Sequence, residues 1–206
     1  TDGITGGVII NGGNTGGFAS GPDGNDTLIN IENIGGSQFA DTLTGNSGNN
    51  GFNGQRGDDT IDGGAGIDTA FHTSATGSVS VTLFDDGTGL SSGADGNDTL
   101  IDIEDIGGSE FADTLTGNRF ANTFTGRGGN DTINGGAGID TVFYFSPRSN
   151  YTVTQIGPVT YTVVDNVGKD GIDTLIDIER LRFGGEFVQL SGGTTLDGDD
   201  DANILY

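Results

Sequence analysis

A chain of 206 residues with 41 Gly, 30 acidic against 7 basic residues and a net charge of −23 is not an ordinary packed globule. Ordering a Gly costs about 0.5–1 kcal/mol relative to Ala, and uncompensated carboxylates repel one another on compaction. The charge excludes nucleic acid as a partner, no apolar run approaches membrane-spanning length, so no membrane insertion is expected, and the absence of Cys removes disulfides and thiol chemistry.

Residues 1–20 carry one strand-like run, Val8-Ile9-Ile10, among Gly/Asn turns, and read as a partial spacer. From residue 21 a nine-residue unit appears, six Gly-rich loop residues ending in Asp and then three strand-like residues with an apolar one in the middle. The first unit is 21–29, ending its loop at Asp26; a short insertion, 30–35, follows. Four contiguous units then run over 36–44, 45–53, 54–62 and 63–71, with Asp41, Asn50, Asp59 and Asp68 at the sixth position and Leu43, Phe52, Ile61 and Ala70 at the eighth.

Residues 72–92 break the period. Ser78 to Leu83 alternates polar and apolar residues and predicts a half-buried spacer strand. A second block, 93–143, repeats the first at an offset of 72, with 37 of 51 positions identical. It opens with a unit at 93–101 containing Asp98 and an insertion at 102–107. Units at 108–116, 117–125, 126–134 and 135–143 follow, with Asp113, Asn122, Asp131 and Asp140 at the sixth position. Residues 144–167 predict a β-hairpin, Tyr151–Thr154 against Thr160–Val163 around Gly157-Pro158. A third, degenerate block, 168–206, restarts with Asp173 and passes into Ile178-Glu179-Arg180-Leu181-Arg182-Phe183. The acidic run Asp197 to Asp201 reads as a loop. Ala202–Tyr206 resembles Ala121–Thr125, so a longer array is expected.

In each unit the Gly-rich residues reverse the chain and aim backbone carbonyls inward, and the triplet turns its middle residue to one face. Two units make one coil, so loops 18 residues apart stack on the same edge, and strands stack in parallel at about 4.8 Å. This pairs Asp41 with Asp59, Asn50 with Asp68, Asp113 with Asp131 and Asn122 with Asp140, and leaves the partners of Asp26, Asp98 and Asp173 open. Leu43, Phe52, Ile61, Leu115, Phe124, Ile133 and Val142 become the core, each contributing about 1.5–3 kcal/mol if fully buried. Backbone ordering at about 1–2 kcal/mol per residue outweighs so thin a core, so bound ions are expected to supply part of the folding free energy. A cation that takes six to eight hard oxygens at about 2.3–2.6 Å, as calcium does, suits paired carboxylates and carbonyls from two stacked loops.

The units resemble the RTX (repeats-in-toxin) nonapeptides, most clearly in Gly126 to Phe143, GRGGNDTINGGAGIDTVF. The resemblance implies an all-β, right-handed parallel β-roll with short β spacers, folding coupled to calcium, and type I secretion. It implies calcium ligands at Asp26, Asp41, Asp59, Asp68, Asp98, Asp113, Asp131, Asp140 and Asp173. Asn50 and Asn122 depart from the pattern and bring no charge, so sites using them, including that of Asp140, are expected to be weaker. The blocks point to a secreted or cell-surface module that self-associates or stacks on neighbouring repeats of a longer chain, as in an adhesin, surface layer or fibre. The alternative is the calcium-folded accessory domain of a secreted protease, lipase or epimerase. No G-x-S-x-G elbow or P-loop occurs, and His72, the single His, excludes a two-His zinc motif within this segment. The segment is therefore expected to be non-catalytic, with His72 in a spacer loop.

Overall fold

A triplet such as Thr42-Leu43-Thr44 or Thr114-Leu115-Thr116 is too short to be anything but a strand. Its flanking Thr residues are β-branched, and its middle residue alone is fully buried. The computed structural model describes residues 9–12, 17–21, 24–28 and 31–190, with side chains described at Ser20 and over 31–190. In chain order the strands begin with β1 (Ile9–Gly12), β2 (Gly17–Gly21), β3 (Gly24–Leu28) and β4 (Ile31–Gly35), followed by β5 (Thr42–Thr44), β6 (Gly51–Asn53), β7 (Thr60–Asp62) and β8 (Thr69–Phe71). Next come β9 (Val79–Leu83), β10 (Thr88–Gly93), β11 (Gly96–Ile101) and β12 (Asp105–Gly107), then β13 (Thr114–Thr116), β14 (Thr123–Thr125), β15 (Thr132–Asn134) and β16 (Thr141–Tyr144). A 3₁₀ turn, Arg148–Asn150, leads into β17 (Tyr151–Gln155), β18 (Thr160–Asp165), β19 (Ile172–Ile176), β20 (Arg180–Phe183) and β21 (Glu186–Gln189).

These strands form two sheets that alternate along the chain, the geometry of a parallel β-roll. Among the described residues one sheet has nine strands, ordered β1-β4-β6-β8-β12-β14-β16-β20-β21, and the other has twelve, ordered β17-β18-β19-β15-β13-β9-β10-β11-β7-β5-β2-β3. Parallel pairing places Leu43 beside Ile61, Phe52 beside Ala70, Leu115 beside Ile133 and Phe124 beside Val142. The 18-residue stacking read from the sequence is therefore the observed register. In the nine-stranded sheet one apolar ladder runs unbroken through Ile34, Phe52, Ala70, Ile106, Phe124, Val142 and Leu181. All the expected core residues are buried and join one cluster.

Three sequence expectations are corrected by the pairing. The stretches at 30–35 and 102–107 are not insertions outside the roll: they contain β4 and β12, full rungs of the nine-stranded sheet. The restarts at 21–29, 93–101 and 168–176 are not Gly-rich loops leading to triplets. Gly21 pairs with Gly24 and Gly93 with Gly96 across tight hairpins, and β18 pairs antiparallel with β19. The spacer 72–92 holds two strands rather than one, and β9, β10 and β11 form an antiparallel meander. In the first two restarts a Gly-x-Asp-Gly stretch flanked by two long strands closes a two-residue turn, because each strand then gains a full antiparallel partner; between β18 and β19 the connection is longer, with Val164 paired to Ile172. The hairpin read at 151–163 is present as β17 and β18; residues 191–206, with the acidic run, lie outside the described residues.

The meander places β9 and β10 between β11 and β13 in one sheet, whereas β8, β12 and β14 are direct neighbours in the other. The inward residues of β10 are Gly89 and Ser91, both small. His72 meets Ser91 there. It is buried, with Nδ1 3.0 Å from the Gly107 carbonyl and Nε2 2.7 Å from Ser91 Oγ. His72 thus lies in the spacer connection after β8, as expected, but its side chain is an interior bolt. His72→Ala opens a void and strips Ser91 of this contact. It is expected to cost about 2–4 kcal/mol, measured by urea unfolding in saturating calcium; an unchanged midpoint would show that the junction does not depend on it. At the far end Tyr144, Tyr151 and Phe183 pack ring on ring with centroids 4.9–5.2 Å apart, where the β17–β18 hairpin meets the roll.

Candidate metal centre

The acidic loops occupy the two edges where the chain crosses between sheets. On each edge the sixth-position residues form a vertical ladder in which one backbone N–H donates to the carboxylate one turn on. Entering the twelve-stranded sheet, Asp41 N–H donates to Asp59 Oδ1 at 2.8 Å and Asp59 N–H to Asp98 Oδ1 at 3.0 Å. After the meander, Val79 N–H donates to Asp113 Oδ1 at 2.8 Å, Asp113 N–H to Asp131 Oδ1 at 2.9 Å, and Asp131 N–H to Asp173 Oδ1 at 3.0 Å. Entering the nine-stranded sheet, Asn50 N–H donates to Asp68 Oδ1 at 2.6 Å and Asn122 N–H to Asp140 Oδ1 at 2.8 Å. All four pairs expected from the sequence are brought together. Asp98 and Asp173, whose partners were open, take the next rank above Asp59 and Asp131, although hairpins deliver them. The Asp26 side chain lies outside the described residues.

Two loop conformations decide what is left over for a ligand. Where the second loop residue is Ser or Asn, its N–H turns inward onto the sixth residue of the same loop. Ser37 donates to Asp41 Oδ2 at 2.6 Å, Ser109 to Asp113 Oδ2 at 2.5 Å, Asn46 to Asn50 Oδ1 at 2.8 Å and Asn118 to Asn122 Oδ1 at 3.0 Å. Where the second residue is Gln55, Gly64, Arg127 or Gly136, φ is positive, at 68, 87, 74 and 90°. Of these, the Gln55, Gly64 and Gly136 N–H groups donate instead to the side chain two residues back. In these four loops the second oxygens of Asp59, Asp68, Asp131 and Asp140 have no partner, though the residues are at most 2 % exposed. Two equivalent loops use Gly where Arg127 adopts the left-handed conformation. Arg127→Gly is therefore expected to raise stability by about 0.5–1 kcal/mol, the relief of strain less the added unfolded-state entropy. Its exposed ion pair with Glu110 at 3.3 Å contributes little. A lowered urea midpoint in calcium would contradict this.

Desolvation dominates the electrostatics of these carboxyls. Burial, reinforced by neighbouring acids and opposed by the ladder hydrogen bonds, raises Asp59 to about 7, Asp68 to about 6, Asp131 to about 8 and Asp140 to about 7. Asp173 is raised to about 7 by burial, but its second oxygen accepts from Tyr144 OH at 2.9 Å, which closes that column. A buried carboxylate oxygen without a donor demands a proton or a cation. Among the described residues no three His, Cys, Asp or Glu side chains surround a common point, so a cation here draws on carbonyls as well. They are in place. A Cβ on Gly36 would lie 2.8 Å from Asp41 Oδ2 and 2.5 Å from the carbonyl oxygen of Gly54 one coil on. A Cβ on Gly108 would lie 2.5 Å from Asp113 Oδ2 and 3.0 Å from that of Gly126. Hard oxygens converging from two stacked loops, with no nitrogen or sulfur donor in the set, suit calcium rather than zinc or copper.

Two carboxylates were missed by the sequence reading. Asp68 N–H donates to Glu104 Oε2 at 2.8 Å and Asp140 N–H to Glu179 Oε2 at 2.8 Å, so Glu104 and Glu179 hold the rank above Asp68 and Asp140. The signal was present in the recurrence of Ile-Glu at 31–32, 103–104 and 178–179. It was obscured because the loop before each Glu is shorter than the nine-residue unit allows.

A parallel roll with acidic, carbonyl-lined edges defines a calcium-binding repeat module. Residues 35–70 and 107–142 match the model of the RTX calcium-binding nonapeptide repeat, in four copies. Those two segments carry the calcium-binding nonapeptide repeat, and the ion that such loops bind is calcium. No curated protein matches the chain.

Proposed function

We propose that this chain is a non-catalytic, calcium-folded structural module of a secreted or cell-surface bacterial protein, stacking with neighbouring repeats in an adhesin, surface layer or extracellular fibre. The supporting observation is that four sixth-position carboxylates, Asp59, Asp68, Asp131 and Asp140, each keep a buried Oδ2 without a donor. The roll buries charges that water would otherwise solvate, and an ion between stacked loops offsets that cost. The ligands are the acids of the two ladders, Asp41, Asp59, Asp98, Asp113, Asp131, Asp140, Asp173 and Asp68, with Asp26 in the first unit and the amide oxygens of Asn50 and Asn122 in supporting places. Each site occupied at a hundredfold excess over its dissociation constant adds about 2.7 kcal/mol. Extracellular modules bind calcium at about 10⁻⁴–10⁻³ M, which keeps the chain unfolded in a producing cytoplasm and folds it outside. Secretion is supported by the family, whose repeats are typical of secreted bacterial proteins. Assembly is supported by the offset of 72 residues between near-identical blocks.

Calorimetric titration of calcium into metal-stripped chain, followed in parallel by circular dichroism, tests the reading. The expected result is saturable binding of several ions coincident with growth of the β signal. A full β signal before any calcium is added, or no heat of binding, would overturn it. Negative-stain microscopy of the calcium-loaded chain tests assembly, with filaments expected and separate particles counting against that part.

A further inference from the structure

We infer that the short Asp-Ile-Glu connections at 102–104 and 177–179 are themselves half-sites for calcium, and that they carry the ion column past the ends of the nonapeptide blocks. Each completes a site with the loop below it: Asp68 with Glu104 and the carbonyl of Asp102, and Asp140 with Glu179 and the carbonyl of Asp177. This rests on the calcium-binding reading above but adds ligands outside the segments that match the repeat, which end at residues 70 and 142.

The connections are built as loops in miniature. Asp105 N–H donates to the Asp68 carbonyl at 2.9 Å and Arg180 N–H to the Asp140 carbonyl at 3.0 Å, as Thr69 N–H does to Asn50 and Thr141 N–H to Asn122, both at 2.9 Å. The residue before each of these donors is therefore the sixth-position equivalent, and it is Glu104 or Glu179. Each carboxylate accepts the ladder hydrogen bond from below, as an Asp does in a full loop. Its extra methylene compensates for a connection three residues shorter. Asp102 and Asp177 take φ of 48 and 49°, and their carbonyls stand where a full loop presents its first Gly carbonyl. A Cβ on Gly63 would meet Asp102 O and one on Gly135 would meet Asp177 O, just as a Cβ on Gly45 would meet Gly63 O and one on Gly117 would meet Gly135 O.

The independent sign of a ligand is Oδ2 of Asp68 and of Asp140. Both residues are 0 % exposed, and neither oxygen has a partner. Each lies beside the carbonyl of the connection: the same Cβ positions on Gly63 and Gly135 fall 2.8 Å from Asp68 Oδ2 and 2.5 Å from Asp140 Oδ2. The downward partners, Asn50 and Asn122, turn their side-chain oxygens onto their own loops. The open oxygens thus share their neighbourhood with the connections above, and the carboxylate that the Asn residues lack is supplied by Glu. On this edge the nine-stranded sheet is uninterrupted, so the Glu104 site ties the last coil of the first block to the first coil of the second.

Calcium binding to the whole chain is counted by titration calorimetry for the wild type, Glu104→Gln and Glu179→Gln, with Asp131→Asn as a variant on the other edge. Gln retains an acceptor for the ladder hydrogen bond and removes the charge. The expected result is one fewer calcium ion for each Gln variant. A wild-type chain that binds no calcium overturns the calcium reading as a whole. A wild type that binds calcium, beside Gln variants of unchanged stoichiometry and affinity and an Asp131→Asn that loses ions, overturns this inference alone. Should a Gln variant not fold, calcium anomalous scattering from crystals of the loaded wild type decides. A peak between Asp68, Asp102 O and Glu104 is expected, and its absence beside peaks on the other edge overturns the proposal.

Discussion

In calcium-free buffer at pH 8 the chain is expected to lose most of its β structure, and at pH 5.5, still without calcium, to regain part of it. The sign follows from the carboxyls. Asp59, Asp68, Asp131 and Asp140 have folded-state values of about 7, 6, 8 and 7, raised by burial from an ordinary 3.8. Between these limits the folded chain binds more protons than the unfolded one, so stability falls as pH rises. The contribution is fully present below about pH 4, where both states are protonated, and is lost as pH rises through about 6 to 8. Net charge adds in the same direction, since 30 acids face 7 bases. With calcium bound the dependence reverses, because the ion requires ionised carboxylates and protons compete for the same oxygens. Urea midpoints at the two pH values, with and without calcium, give the comparison. A calcium-free chain more stable at pH 8 than at 5.5 would show that these carboxyls are not buried as described.

Gly63→Ala and Gly135→Ala are expected to be damaging single-methyl changes in the roll, costing about 1–3 kcal/mol and weakening calcium binding. Neither position needs a left-handed backbone; each needs the absence of a side chain. A Cβ would stand closer than 3.0 Å to the backbone carbonyl of the next turn and to the unpartnered oxygen of Asp68 or Asp140. The carbonyl cannot retreat cheaply, because Gly63 N–H donates to Ile101 O at 2.9 Å and Gly135 N–H to Ile176 O at 3.0 Å, fixing the distance between coils. Gly185→Ala, where a Cβ meets nothing within 4 Å, is the comparison variant and is expected to be near neutral. Urea unfolding and calcium titration of the three variants decide the matter; equal behaviour of Gly135→Ala and Gly185→Ala would refute the close-packing explanation.

Much of the roll is local information. Six Gly-rich residues and a Thr-apolar-Thr triplet specify one strand and one reversal, and repetition specifies what stacks on what. From this alone Leu43, Phe52, Leu115 and Phe124 are legible as core, and Asp41 with Asp59 or Asp113 with Asp131 as neighbours. The tertiary structure settled what repetition does not encode. Gly93-Ala94-Asp95-Gly96 has the composition of a repeat loop, yet it closes a hairpin because β10 already lies alongside β9 as a partner for β11. Residues 102–107 break the nine-residue count, yet they form a rung because Ile106 falls between Ala70 and Phe124. Which carboxylate oxygens remain open depends on whether the second residue of a loop turns its N–H inward, a matter of one backbone angle. A periodic sequence specifies its own repeat through short-range sterics and hydrophobic spacing. Where the period is broken, the outcome is set by hydrogen bonds between residues 34 to 42 positions apart, which only the assembled sheets bring together.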